Sequence, residues 1–302
     1  MRPTSRQPGP SSSTSAPTPG AACSPRPASR RPEIAASLAG TRRTGRVPVA
    51  LLLPAALGLA FLVLPLVGLL VRAPWSTLAQ RLTEPGVLTA LRLSVQSATL
   101  ATLLCLVLGT PLAWLLARVE FPGRRVVRAL VTVPLVLPPV VGGVALLLVF
   151  GRRGLLGSWL DSTFGITLPF TTTGVVLAEA FVAMPFLIIA VEGALRAADT
   201  RYEEAAATLG AGRWTTFTHV TLPLVAPGIA AGAVLCWARA LGEFGATITF
   251  AGNYPGRTQT MPLAVYLALE TDLEAAIVLS LILLTVSVVI LASLRDRWLS
   301  TP

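Results

Sequence analysis

Six long apolar runs separated by short polar stretches set the pattern of this sequence: residues 49–71, 93–117, 129–150, 173–195, 225–250 and 273–294. Each is long enough for a helix to cross a hydrocarbon layer of about 30 Å, which takes roughly 18 residues or more. The first would extend about 34 Å at roughly 1.5 Å per residue. The fifth is interrupted by small and charged residues, whereas the sixth is cleanly apolar. The pattern predicts an all-α membrane protein of about six transmembrane helices.

Ahead of the first run, residues 1–46 are rich in Pro, Ser, Thr, Ala and Arg without apolar periodicity. Such a segment buries too little surface to offset its chain entropy, so a disordered tail is expected. Residues 47–90 then read as the first transmembrane helix with an outer loop, and 91–298 as the main membrane domain. With 53% hydrophobic residues, 13% charged residues and a mean hydropathy of +0.72, an ordinary soluble domain is excluded.

The sequence contains no lysine, and its 24 basic residues are all arginine. Their placement sets an orientation, because cytoplasmic segments carry the basic excess. With the N-terminus inside, the tail holds eight arginines, residues 118–128 four, 196–213 three and the C-terminal end two. The outer segments hold only Arg72, Arg81, Arg92, Arg152, Arg153 and Arg257. Both termini are therefore expected in the cytoplasm, with the chain multi-pass in the cell membrane. Trp75 and Trp159 fall near the proposed outer boundaries, Trp114 and Trp298 near the inner ones, where amphipathic rings prefer to lie. Arginines that flank apolar runs suit lipid headgroups and topology, not nucleic acid.

Several chemistries drop out. A phosphate-binding P-loop needs a lysine, so this chain carries no ATP-hydrolysing site of that kind. Cys23, Cys105 and Cys236 have no metal-ligand spacing, and the two inside apolar runs read as small fillers. His219, the single histidine, has no ligand partner at suitable spacing, and no H-E-x-x-H is present. No metal, catalytic residue or cofactor is expected in this chain.

The segment RYEEAAATLGAGRWTTFTHVTLPLVAPG, between the fourth and fifth runs, is too polar to span and too ordered in composition for a tail. Residues 203–209 favour a helix, Gly210 and Gly212 stop it, and 213–220 suit a second short helix before the next run. Two short helices at a sharp angle are expected. Glu204, Ala205, Ala206, Gly210, Val220, Leu222 and Pro223 stand at the positions of the EAA signature of bacterial ABC-importer permeases, which this loop resembles. The resemblance implies the type I ABC importer transmembrane-domain fold, with 91–298 as its permease domain. It also implies that the loop is a coupling element docking on a separate ATP-binding subunit, which would carry ATP and Mg. Small alanines permit close packing there, and Glu204 can bond its own loop or the partner.

In the fifth run Arg239 and Glu243 are charged residues inside a span, where facing lipid would cost about 2.5–3.5 kcal/mol each. Their i, i+4 spacing allows an ion pair, with Thr247 one further turn along. The pair either fixes helix packing or meets a passing oxyanion, to which Thr247 and Thr249 can donate hydrogen bonds. Glu179 is a further intramembrane charge whose partner the sequence does not name. Pro134, Pro138 and Pro139 predict a kink or local unwinding in the third run, as packing or as a cavity wall.

The stretches ARALGEFGATITF and PLVLPPVVGG resemble the molybdate group of these permeases, which are similar to sulfate permeases. That resemblance implies import of molybdate, or alternatively of sulfate/thiosulfate or tungstate, with an extracytoplasmic binding protein as partner and two permease copies forming the pore. An ion-coupled secondary carrier is the competing class, since Glu179, Arg239 and Glu243 offer midplane charges.

Overall fold

The computed structural model describes residues 49–299, all of its regular elements being helical. The expected tail at 1–46 and Cys23 lie outside the described residues, as does the Trp298 side chain. The chain divides into two units at Leu57–Gly58, inside the first helix.

In chain order the helices are α1 (Val49–Val71), α2 (Leu78–Leu82), α3 (Pro85–Arg118), α4 (Arg124–Val136), α5 (Pro139–Phe150), α6 (Gly157–Phe164) and α7 (Thr172–Ala197). They continue as α8 (Arg201–Thr208), α9 (Arg213–Thr216), a π-turn (Phe217–Thr221), α10 (Leu222–Leu241), α11 (Gly245–Phe250), α12 (Met261–Thr271) and α13 (Leu273–Leu299). Five are long and apolar enough to cross a membrane, and the bent pair α4–α5 makes a sixth. Phe61, Leu62 and Leu64 of α1 are exposed, as lipid-facing side chains should be.

Ion pairs and hydrogen bonds fix which ends share a side. Arg118, at the end of α3, pairs with Glu203 of α8 at 3.0 Å. Arg81 of α2 pairs with Asp272, between α12 and α13, at 2.8 Å. Thr172, opening α7, donates to the Arg257 carbonyl at 2.9 Å. Thus α3 and α7 both end on the α8 side, so the chain between them must cross once through α4–α5 and return through α7. With α10 starting beside α8 and α13 starting at Asp272 on the other side, the five crossings α3, α4–α5, α7, α10 and α13 alternate in sense.

The third crossing is not one rod: α4 and α5 meet at 117°. Pro138 and Pro139 cannot donate to the preceding turn, and Leu137 and Pro138 are extended at their junction. The expected fifth run, 225–250, is corrected likewise. Its helix starts earlier and stops at Leu241, residues 242–244 are unwound, and α11 is a separate short helix. The 11-residue α12 was not foreseen, being too short to cross.

Between lipid-embedded helices the apolar driving force is weak, and close approach through small residues takes over. Gly228 and Gly232 of α10 seat against Ala194 and Ala190 of α7; a Cβ on Gly228 would stand 2.2 Å from that of Ala194. Ala98, Ala101, Cys105 and Ala113 of α3 pack with Leu187, Ile188, Val191 and Cys236 in the main core.

Candidate functional site

Helix α8 exists because RYEEAAAT is rich in strong helix formers, with Glu203 and Glu204 in its first turn, where negative charge is favoured. It ends in a Schellman motif: the Ala211 N–H reaches the Ala206 carbonyl and the Gly210 N–H the Ala207 carbonyl, both at 3.0 Å. That turn needs a left-handed residue, and Gly210 supplies it at φ +83°. The expectation that this glycine stops the helix holds.

The second expected short helix, 213–220, is corrected. From Arg213 the helix runs without a stop through the π-turn into α10, a continuous 29-residue element to Leu241. Pro223 explains this: it has no N–H, and its ring crowds the carbonyl of residue 219. The extra residue of the π-turn accommodates it without ending the helix. Val220 lies in that turn, with Leu222 and Pro223 beginning α10. Trp114 of α3 packs edge-on against Phe217, centroids 5.9 Å apart.

Of the two adjacent glutamates, Glu203 ties the loop to the body. Its Oε1 receives Arg118 Nη2 at 3.0 Å and the Thr221 hydroxyl at 3.1 Å, joining α8, the π-turn and the end of α3. Sequence reasoning missed Glu203, Arg118 and Thr221. Glu204 is exposed, as is Ala205, while Ala206 is half-buried. Leu209 is 88% exposed and Trp214 75% exposed, flanking the Gly210 turn. Nearby, Glu192 holds Arg128 at 2.6 Å and Arg196 at 2.7 Å. Arg124 donates to the Leu116 and Ala117 carbonyls, satisfying the end of α3.

The second candidate site is the break after α10. Arg239 and Glu243 form the expected ion pair at 2.7 Å, with side chains 27% and 1% exposed. Glu243 is not on the same helix as Arg239, however. It lies in the unwound segment, where its Oε1 accepts the Ala246 N–H at 2.8 Å and caps α11. Thr247 is therefore not one turn along a shared face. It is fully buried, and its hydroxyl has no partner. The Thr249 hydroxyl donates to the Gly245 carbonyl at 2.8 Å.

Helix α11 seats on the start of α5. A Cβ on Gly143 would stand 2.6 Å from that of Thr249, and one on Gly245 would stand 2.9 Å from that of Pro139. The two sequence stretches that carried the narrower resemblance thus pack against each other. Glu179 gains a partner the sequence could not name: the Ser97 hydroxyl of α3 donates to its Oε1 at 2.8 Å. Beside the break lies an apolar groove of about 530 Å³ lined by Phe244, Val265, Tyr266, Leu269 and Leu283 among others.

With this geometry in view, residues 107–301 match the family described as binding-protein-dependent transport system inner membrane component. The chain is 49% identical over 245 residues to the Molybdenum transport system permease protein ModB of Mycobacterium tuberculosis, covering 81% of this chain and 92% of that one. It is 44% identical over 211 residues to the ModB of Escherichia coli K12, covering 70% and 92%. The Sulfate transport system permease protein CysT of the same organism is 38% identical over 238 residues, covering 78% and 86%. Among solved structures, a bacterial ABC transporter involved in alginate import superposes with a TM-score of 0.69 at 19% identity, covering 83% of this chain and 94% of that one. The bacterial alginate transporter in complex with a pentasaccharide-bound periplasmic protein gives 0.66 at 19%, covering 81% and 91%. The expected type I importer fold is thereby shown.

Proposed function

The chain belongs to the family of binding-protein-dependent transport inner membrane components, and on that premise we propose that it is the molybdate-translocating permease of an ATP-driven importer. The observation that carries the reading is the α8–α9 loop. It is an exposed turn closed by its own hydrogen bonds, anchored to α3 through Glu203 and continuous with a transmembrane rod. A loop that passes motion from a separate ATP-binding subunit has to be stiff. Driving a two-state gate from 1:99 to 99:1 takes about 5.5 kcal/mol of differential binding, which a floppy linker would dissipate. Glu204, Ala205, Ala206, Gly210, Val220, Leu222 and Pro223 form the coupling surface, with Leu209 and Trp214 as its apolar anchors.

Residues 91–298 form the permease domain, two copies complete the pore, and an extracytoplasmic binding protein delivers the anion. The α8 side faces the cytoplasm, in accord with the arginine distribution, and ATP with Mg stays on the partner subunit. Arg239, Glu243, Thr247 and Thr249 belong to the gate. Conduction favours weak sites, and Glu243 keeps the Arg239 guanidinium from gripping a dianion. Thr249 acts by packing α11 on α5, and Thr247 offers the uncommitted hydroxyl.

The substrate reading rests on the 49% identity to a molybdenum permease, and the 38% identity to a sulfate permease supports sulfate as the second reading. Radiolabelled molybdate uptake into vesicles holding the complete importer tests both. Vanadate-sensitive uptake, blocked by tungstate more strongly than by sulfate, is expected. Preference for sulfate would change the substrate alone, whereas uptake driven by a proton or sodium gradient without any ATPase would overturn the transporter class.

A further inference from the structure

Among the described residues, Phe170 is the one non-glycine in the left-handed region, at φ +60°. For an aromatic residue that conformation costs about 1–2 kcal/mol and persists only where its surroundings enforce it. Phe170 stands just ahead of α7, on the face opposite α8. Next to it, the Thr171 side chain donates to the Leu168 carbonyl at 2.6 Å and accepts the Gly174 N–H at 3.1 Å. The Thr172 bond to the Arg257 carbonyl then ties this corner to the loop after α11.

That loop is equally constrained. The Tyr254 carbonyl accepts the N–H groups of Arg257, Thr258 and Gln259 at 2.9–3.1 Å, and the Tyr254 N–H reaches the buried Thr258 hydroxyl at 2.9 Å. The Phe170 and Tyr254 rings meet edge-on, centroids 6.2 Å apart at 90°. Gly252, at φ +74°, leaves room for them, since a Cβ there would stand 3.1 Å from each ring. Despite this scaffolding the rings are 48% and 54% exposed, with Pro255 and Arg257 exposed beside them.

We propose that Phe170, Tyr254 and Arg257 form the docking surface for the extracytoplasmic binding protein, whose matching face carries an apolar recess edged by acidic side chains. The inference rests on the reading above that such a protein delivers the anion. Rigid aromatic anchors lose little entropy on binding and dominate interface energies, and an arginine on the rim selects a negatively charged partner. Aromatic side chains that merely sit at the lipid boundary need neither a strained backbone nor a glycine cleared beneath them. The loop also follows α11 directly, through the buried Phe250 and Ala251. A load on Tyr254 is thereby passed to the helix that Glu243 caps, and so to Arg239.

The test is the affinity of the purified molybdate-binding protein for the complete transporter in lipid nanodiscs, measured by surface plasmon resonance. Phe170→Gly and Tyr254→Ala are each expected to weaken binding on the order of tenfold or more. Arg257→Glu is expected to weaken it in a manner that fades with added salt. Phe170→Gly places at φ +60° the residue that suits it, so its thermal midpoint should equal or exceed wild type and a folding defect is not the cause. Affinities within twofold of wild type in both ring variants would overturn the proposal. So would a lowered thermal midpoint with undiminished affinity, which would mark the rings as membrane anchors. If wild-type transport ignored the binding protein altogether, the parent reading would fall and take this inference with it.

Discussion

Arg239 and Glu243 are four residues apart, yet their 2.7 Å ion pair joins the last turn of one helix to the cap of the next. The pair holds the break in shape. Removing one member of a buried pair costs about 3–5 kcal/mol because the other charge is left alone. Arg239→Met should therefore destabilise the detergent-solubilised protein by about 3 kcal/mol. Arg239→Met combined with Glu243→Gln, which keeps an oxygen for the Ala246 N–H, should recover most of that loss. Equal stability of the single and double variants would show that the pair does not hold the break.

Gly210→Pro should abolish uptake while membrane insertion stays normal, because proline cannot reach φ +83° and lacks the N–H that bonds Ala207. Gly210→Ala meets no steric obstacle, so its cost is conformational alone, about 1–2 kcal/mol. Uptake assays on membranes with matched protein levels check both; normal uptake by the proline variant would remove the turn from the coupling path.

Arg118 and Glu203 should show a coupling energy of about 1 kcal/mol in a double-mutant cycle on stability, the pair being only part-buried. Their single variants should lower transport per ATP hydrolysed more than they lower hydrolysis. If the ratio stays constant, the tether carries no motion.

Gly228→Ala would press a methyl group to 2.2 Å from the Cβ of Ala194, an overpacking cost of about 1–3 kcal/mol. Adding Ala194→Gly should restore the thermal midpoint. Failure of the exchange would mean that α7 and α10 do not seat at this point.

On the face opposite α8, Asp272 accepts from Arg81, and this bond with the Ala275 N–H holds its carboxyl below the usual carboxylate range. A depressed folded-state pKa stabilises fully above the unfolded value of about 3.9 and loses that contribution as pH falls through the lower folded value. The gap in thermal midpoint between wild type and Asp272→Asn should stay constant from about pH 7 to pH 5 and close only below about pH 4. A gap that is unchanged at pH 3 would assign the effect to something other than the carboxylate.

The crossings were legible because lipid demands long apolar runs, and the bend in the third run followed from Pro138 and Pro139. The end of the fifth helix was not legible, since Gly242 and Glu243 interrupt the apolar run but do not by themselves say that the backbone unwinds there before Phe244. Nor could pattern separate Glu203 from Glu204. Neighbours on a helix point about 100° apart, and which one faces Arg118 depends on how α8 lies against α3. The residues proposed for coupling were readable as a motif, whereas Leu209 and Trp214, added to that proposal here, became visible only through their exposure. Phe170 gave no warning at all, because positive φ at a phenylalanine has no compositional sign.

The unbroken stretch from Arg213 to Leu241 makes the exposed turn after α8 and the break at Glu243 two ends of one rod. At roughly 1.5 Å per residue it is about 43 Å long, so a swivel of about 5° about one end sweeps the other through about 4 Å. On the coupling role proposed above, a tilt too small to reshape any helix would carry motion from Trp214 to the Arg239–Glu243 pair at the other end of the rod.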